Sequence, residues 1–193
     1  YLPRFAGDEV PRTLAGSILS VADKLDTIVG CFGVDLIPTG SQDPYALRRQ
    51  ALGVVRIVSG FPLDIHLSDA LRASLATFGG RFDKDDETVV QRVVEFFAQR
   101  VRGMLLDMDV RHDLVEAVVG AGIDDLAAVF SKAAALAEFG RTAEFDALVT
   151  AYERAANLAA KGDADHVDAG LLRTEAETGL FSEVERVGYR LAE

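Results

Sequence analysis

The chain has 193 residues, 49% of them hydrophobic, so it can bury a core and is not a disordered polymer; its length allows one domain or one and a half. Its formal net charge of −11 argues against a general polyanion binder, because nucleic-acid affinity depends largely on Lys and Arg, and we expect no DNA partner. One cysteine, Cys31, excludes an internal disulfide framework, and no apolar run approaches the roughly 20 residues of a membrane span, so we expect a soluble cytoplasmic protein without a membrane partner.

The first predicted helix lies between residues 14 and 32. Its apolar side chains recur at steps of three and four residues, which places them on one helix face. These side chains are Leu14, Ile18, Ala22, Leu25, Val29 and Phe32. We expect this face to pack on the core and the helix to end near Gly30 or Gly33.

A loop over residues 37–42 precedes the second predicted helix. Asp43 is predicted to cap this helix, with Pro44 at the first helical position, where a missing N–H costs nothing. Gly60 is predicted to end it. Its predicted buried stripe consists of Leu47, Ala51, Val54, Val55 and Val58.

Helical patterns continue through the rest of the chain. Ser68 is predicted to cap a third helix, and Asp85 or Asp86 to open a longer fourth one. No stretch shows the alternation and β-branched enrichment that are typical of strands, so the predicted fold class is all-α. The later helices are predicted at about residues 114–119, 124–139, 142–161, 167–179 and 182–191.

Net charge is unevenly distributed along the chain. Residues 1–60 hold six basic and six acidic side chains, so the whole net charge of −11 belongs to residues 61–193. Any contact with RNA is therefore expected in the first third.

Three arginines of the second predicted helix form a candidate row. Arg49 and Arg56 are two turns apart on nearly the same face, and Arg48 lies beside them. Guanidinium groups bind phosphate through two parallel hydrogen bonds, so this row could follow an RNA backbone. It could equally form ion pairs within the fold, with the carboxylates of Asp23, Asp26 and Asp43.

Two acidic motifs raise the question of a metal. Asp23 and Asp26 are neighbours on one helix and resemble the aspartate-bearing helix of HD domains, whose aspartate completes a metal site. The histidine ligands of such a site are not visible, so no metal is predicted and the two residues stay candidate ligands; the alternative is a solvated or ion-paired carboxylate pair. The dipeptide His112-Asp113 names the HD phosphohydrolases, but Asp113 is expected in the first turn of a helix.

The sequence contains no motif that predicts catalysis. It lacks a glycine-rich phosphate loop, a nucleophile elbow and a metal-spaced set of cysteines. We therefore assign no catalytic residue.

Four motifs occur in the order and spacing of one known family: YLPRFAGD at residues 1–8, ADKLDT at 22–27, PTGS at 38–41 and DPYALRRQALGVVRI at 43–57. They resemble the HD-like domain of the bacterial glycyl-tRNA synthetase beta subunit. The chain departs from that pattern at Gln42, where the family often has lysine, and at Tyr45, where it often has phenylalanine.

The resemblance also implies a domain organisation. Residues 1–140 are expected to form an HD-like helical domain, with the boundary at Gly140-Arg141. Residues 141–193 are expected to form a helical linker and the start of a region similar to the family's anticodon-binding region.

The function implied by the resemblance is that of a fragment of a heteromeric glycine–tRNA ligase, an aminoacyl-tRNA synthetase of protein biosynthesis. Its partners would be glycine tRNA and the catalytic alpha subunit. ATP and magnesium are implied at that alpha subunit, no cofactor is expected in this fragment, and the fragment alone is expected to be inactive. The candidate tRNA-binding residues are Arg4, Lys24, Arg48, Arg49 and Arg56.

Two other functions remain open from the sequence. A metal-dependent HD phosphohydrolase would require bound divalent metal and turnover of a phosphate ester. A helical scaffold without a ligand of its own would agree with the acidic total charge.

Overall fold

A computed structural model describes residues 2–5, 7–61, 63, 65–160 and 167–191, with side chains except at Leu158 and residues 188–191. The predicted all-α class is confirmed, because these residues form helices and, apart from two isolated bridges, no β-structure. None of the helices in these ranges is long and apolar enough to cross a membrane.

The described residues form eight α-helices and one short 3-10 helix. The 3-10 helix, Ala169–Leu171, precedes the last α-helix. The α-helices are α1 (Leu14–Gly33), α2 (Leu47–Gly60), α3 (Leu67–Thr77), α4 (Asp86–Asp107), α5 (His112–Gly120), α6 (Leu126–Phe139), α7 (Ala143–Ala159) and α8 (Glu175–Leu191).

The backbone divides into two compact units, Tyr1–Phe145 and Asp146–Glu193. In the first unit α1 packs against α2, α3 and α4, while α6 contacts both α5 and α2. The predicted stripe of α2 is confirmed, since all five of its apolar residues are buried. Side chains with no exposed surface in this core include Ile28, Val29, Val55, Ile57, Leu67, Leu71, Phe97, Leu105 and Leu126.

The first two turns of α1 differ from the prediction. Leu14 and Ile18, predicted to face the core, are 55% and 52% exposed. The helix instead turns Ser17 and Ser20 inward, and Ser20 Oγ donates a hydrogen bond of 2.5 Å to the carbonyl oxygen of Leu2. Packing against the N-terminal segment thus decides the orientation of these turns, and the apolar periodicity does not. The predicted end of the helix at Gly33 is confirmed.

The start of α2 also differs from the prediction. The helix begins at Leu47, and Pro44 lies in a preceding turn, outside the helix. Asp43 still caps it, because its carboxylate accepts the backbone N–H groups of Leu47 at 2.8 Å and Arg48 at 3.0 Å. Ala46 adopts a left-handed conformation with φ of 54° to complete this turn. A turn therefore separates the capping carboxylate from the helix.

A long-range cap replaces the one predicted at Ser68. Helix α3 begins one residue earlier, at Leu67, so Ser68 is already helical. Its backbone N–H donates to the Asp124 carboxylate at 2.7 Å, and that carboxylate lies 56 residues further along the chain. The fourth helix begins as predicted, with Asp85 accepting the N–H of Thr88 at 3.0 Å.

The second unit ends in one long helix where two segments were predicted. Glu177 accepts the N–H of Thr174, and Thr174 Oγ1 accepts the N–H of Glu177, which is the reciprocal pairing of a capping box. Helix α8 then runs through Gly179 without interruption. The described side chains from 146 to 187 are exposed or, at Leu172 and Phe181, half-buried.

The end of α1 generates a stability prediction. A Cβ atom at Gly33 would lie 2.6 Å from three ring carbons of Phe82, so one of the two must move. We expect Gly33→Ala to lower the free energy of unfolding by about 1–3 kcal/mol, as overpacking does. Urea denaturation measures this difference.

The matched control is Gly103→Ala within α4, where nothing lies within 4 Å of the added Cβ. That substitution should raise the unfolding free energy by roughly 0.5–1 kcal/mol, because alanine favours helix over glycine. Equal effects at both positions would show that the Phe82 ring is not a barrier.

Candidate functional site

Three of the candidate cationic residues meet in one pocket on the first unit. Lys24 of α1, Arg49 of α2 and Arg4 of the N-terminal segment line a cavity of about 260 Å³. The other lining residues are Pro3, Asp23, Thr27, Ala46 and Gln50. This set is called the cationic pocket below.

Lys24 forms the buried part of this pocket. The residue is only 5% exposed, and its Nζ donates to Ser20 Oγ at 2.7 Å and to the Leu2 carbonyl at 3.5 Å. No carboxylate oxygen of the described residues lies within 4 Å of this ammonium. Burial lowers the pKa of Lys24, while the charge of Asp23 acts in the opposite direction. The charge is therefore buried with hydrogen-bond acceptors but without an ion-pair partner.

A glycine on α2 makes room for the lysine stem. A Cβ atom at Gly53 would lie 3.0 Å from Cε of Lys24 and 3.2 Å from Cγ of Pro3. Helix α2 can therefore approach both the lysine and the N-terminal segment closely. The missing side chain at Gly53 thus leaves room for Lys24 and Pro3, two of the residues that line the pocket.

Arg4 is held in place by a carboxylate four residues ahead. Its Nε donates to Asp8 at 3.0 Å and its backbone N–H donates to the same oxygen at 2.8 Å. These hydrogen bonds lower the pKa of Asp8 from its ordinary value of 3.8 to about 2. The Arg4 side chain stays 65% exposed, so the pairing orients the guanidinium and leaves most of it open to solvent.

Arg49 completes the pocket and has no partner of its own among the described residues. Its side chain is exposed, and it makes no hydrogen bond or ion pair there. The neighbouring Gln50 donates through Nε2 to the Tyr45 carbonyl at 3.0 Å, which steadies the turn before α2. Arg49 is therefore free to bind an anion above Lys24.

The predicted arginine row is divided in the structure. Arg56 donates through Nη2 to the carbonyl oxygen of Asp8 at 2.9 Å and is half-buried. Arg48 lines a different cavity, on the other flank of α2. Of the five candidates, the structure thus brings together Arg4, Lys24 and Arg49, and it places Arg48 and Arg56 elsewhere.

The two candidate metal ligands lie at the edge of an apolar groove. Asp23 borders both the cationic pocket and a groove of about 610 Å³ between α1 and α3, and Asp26 borders the groove alone. Within the described ranges no cluster of three or more His, Cys, Asp and Glu residues could hold a metal ion. His112 begins α5, and Asp113 lies in its first turn and pairs with Arg111 at 2.6 Å, as predicted for a helix start.

Sequence reasoning missed the residues that support these cations. Ser20 lies four residues before Lys24 and Asp8 four residues after Arg4, so the spacing of each pair was a usable signal on a helix or tight turn. Gly53 carried no such signal, because its role depends on how α2 crosses the N-terminal segment.

The arrangement is suited to binding a phosphate group. An ammonium and two guanidinium groups around a small cavity supply several charge-assisted donors to one anion. Low exposure at Lys24 reduces the screening of its charge by water, which strengthens its attraction for such a ligand.

Lys24 generates a prediction about alkaline stability. Its folded-state pKa is lowered, so between that pKa and the ordinary value of 10.5 the unfolded chain binds more protons, and stability rises with pH. We expect Lys24→Met to remove this rise. At pH 7 the free energy of unfolding of the variant should either stay within about 1 kcal/mol of the wild-type value or exceed it, because a buried unpaired charge is costly.

Urea denaturation of both proteins at pH 7, 9 and 10 measures the effect. The control is Lys132→Met, which changes an exposed lysine of α6. If the free energy of unfolding of Lys24→Met still rises between pH 7 and 10, another titrating group causes the rise.

Asp8 generates the opposite prediction in acid. Because its pKa falls to about 2, its stabilising effect is present above pH 3.8 and is lost as the pH falls towards 2. We expect Asp8→Asn to lower the melting temperature at pH 7 and to weaken its decline between pH 4 and 2. Glu9→Gln, in an exposed pair with Arg12, should leave both nearly unchanged. If the melting temperatures of wild type and Asp8→Asn fall equally between pH 4 and 2, Asp8 is not the group that causes the decline.

Comparison with known proteins agrees with the motifs of the first third. Residues 1–120 match the family described as glycyl-tRNA synthetase beta subunit. The chain is 45% identical over 183 residues to the glycine–tRNA ligase beta subunit of Desulforamulus reducens, 39% over 193 residues to that of Clostridioides difficile, and 40% over 187 residues to that of Geobacter sulfurreducens.

These alignments cover 94%, 100% and 97% of this chain but only 26%, 28% and 27% of the three relatives. The chain therefore spans little more than a quarter of their length. The resemblance inferred from the four motifs is confirmed by these matches: the chain belongs to the glycyl-tRNA synthetase beta subunit family.

Proposed function

We propose that this chain contributes tRNA recognition to a heteromeric glycine–tRNA ligase, as part of its beta subunit. The reaction is the attachment of glycine to its tRNA, and the chain acts with a catalytic alpha subunit in the cytoplasm. ATP and magnesium are used at that alpha subunit. The residues of this chain bind and orient RNA and supply no reacting group.

The observation that carries this proposal is the cationic pocket. The chain has 31 acidic and 20 basic residues, yet among the described residues Arg49 has no partner, and no carboxylate oxygen lies within 4 Å of the Lys24 ammonium, although Asp23 also lines the pocket. Unpaired cations on an acidic protein favour one local anion over general binding to polyanions. A phosphate of the tRNA backbone has the charge and size that this pocket accepts.

The other two functions have less support. A phosphohydrolase site would need ligands beside Asp23 and Asp26, and the groove that these residues border is lined mainly by apolar side chains of α1 and α3. A scaffold without a ligand accounts for the hydrogen bonds of Lys24 but gives no reason for Arg49, which lines the same pocket without a partner among the described residues. It is the outcome that an absence of RNA binding would support.

The test is fluorescence anisotropy of labelled glycine tRNA with this chain at several salt concentrations. We expect Arg49→Ala and Lys24→Met to weaken binding by roughly tenfold each, since each removes a charged hydrogen bond. Each should also reduce the slope of log K against log salt by about one, which is the signature of one lost phosphate contact.

The control variant is Arg81→Ala, which removes an exposed arginine outside the pocket. It should leave the affinity nearly unchanged, and melting curves verify that every variant is folded. No binding by wild type at low salt, or equal losses for Arg49→Ala and Arg81→Ala, would contradict the proposal.

A further inference from the structure

A second pair of cations lies on the other flank of α2. Arg48, in the first turn of α2, lines a cavity of about 220 Å³ together with Phe96 and Gln99 of α4. Arg100, also of α4, places its guanidinium over the Phe96 ring, 4.9 Å from the ring centre. Arg48 and Arg100 are called the arginine pair below.

Neither member of the arginine pair has an ion-pair partner among the described residues. Arg100 donates to the amide oxygen of Gln99 at 2.9 Å, and Arg48 donates to the Gln42 carbonyl at 3.5 Å. Both acceptors are neutral. Other arginines of α3 and α4 are neutralised by carboxylates: Arg72 by Glu87, Arg92 by Asp35 and Arg102 by Glu116.

Two carboxylates lie near the arginine pair, but among the described residues neither forms an ion pair with it. Asp43 accepts two backbone N–H groups at the start of α2, one of them that of Arg48 itself. Glu95, which lines the same cavity, accepts from the side-chain amide of Gln91 at 3.2 Å. Both arginines lie at Phe96 and Gln99: Arg48 lines the cavity with these two residues, and Arg100 covers the ring and donates to the amide oxygen.

The electrostatics agree with this geometry. Burial and then the neighbouring charge of Arg48 lower the pKa of Arg100, and Asp43 only partly opposes them. Two half-buried like charges repel, and an anion placed between them would relieve that repulsion. Guanidinium forks are suited to phosphate oxygens in particular.

Sequence adjacency links the arginine pair to the cationic pocket. Arg48 and Arg49 are consecutive residues of α2, so their side chains leave the helix about 100° apart. Arg49 is directed to the cationic pocket and Arg48 to the arginine pair. The first turn of α2 thus separates two cationic sites that one extended polyanion could contact together.

We propose that the arginine pair is a second phosphate subsite, and that one RNA backbone crosses the start of α2 by placing one phosphate in the cationic pocket and another between Arg48 and Arg100. This inference rests on the proposed function, since it assigns a second contact to the same RNA. It also makes Arg100 an RNA-binding residue that lies outside the motifs of the first third.

The test compares Arg48→Met and Arg100→Met in the tRNA anisotropy titration at several salt concentrations. Methionine keeps an apolar stem over Phe96 while removing the charge. Each single variant should weaken binding severalfold and reduce the slope of log K against log salt. The double variant Arg48→Met/Arg100→Met should reduce that slope by about one, because both arginines share one phosphate. Adding Arg49→Ala to the double variant should bring the reduction to about two.

Two further variants separate charge from packing. Arg100→Lys keeps the charge and should retain most of the salt slope, whereas a purely structural role would make it as damaging as Arg100→Met. Arg72→Met removes an arginine that is paired with Glu87 and should leave the tRNA affinity unchanged. Melting curves are recorded for all of them.

A parallel arm uses inorganic phosphate to distinguish a free anion from RNA. If phosphate raises the melting temperature of wild type but not of Arg100→Met, and tRNA affinity is equal in the two proteins, the site binds a free anion and the RNA subsite is wrong. Wild-type salt slopes in Arg48→Met and Arg100→Met, with losses in Arg49→Ala, would overturn this inference and leave the proposed function standing. No tRNA binding by wild type would overturn both.

Discussion

The contact between the N-terminal segment and α1 is organised around a buried ammonium that has no carboxylate oxygen of the described residues within 4 Å. Lys24 satisfies its hydrogen bonds with Ser20 Oγ and the Leu2 carbonyl, so the N-terminal segment must lie across α1. Burying a charge in this way is costly unless polar groups surround it, and that need explains why α1 turns Ser20 inward, on the side away from the exposed Leu14 and Ile18. The position of the segment then places Arg4 at the mouth of the cationic pocket.

The start of α2 leaves its two arginines without ion-pair partners among the described residues. Asp43 accepts hydrogen bonds from two backbone N–H groups at the helix start, and its carboxylate forms no ion pair with Arg48 or Arg49. The same turn directs the two arginines to different cavities. An acidic protein can in this way keep a local positive surface, because its many carboxylates pair with arginines of the other helices.

Sequence reasoning predicted the helices of the first unit better than their orientation. Apolar periodicity identified α1, α2 and α4, since burial of one face is what stabilises such helices. It could not predict that Asp124 would cap α3 from 56 residues away. At the site, the resemblance supplied Arg4, Lys24 and Arg49 as separate residues. Helix packing, which the sequence does not show, brings these three residues into one pocket. It also directs Arg56 to the Asp8 carbonyl and places Arg100 over the Phe96 ring.

The close approach of α2 to α1 links the residue at position 53 to the residue at position 24. A Cβ atom at position 53 would lie 3.0 Å from Cε of Lys24 and 3.2 Å from Cγ of Pro3, so a larger residue requires both neighbours to shift by a few tenths of an ångström. A shorter residue at position 24 would remove the nearer of these two contacts and make alanine, the better helix former, easier to accommodate at position 53. The two positions are therefore coupled, because the effect of enlarging residue 53 depends on which residue occupies position 24.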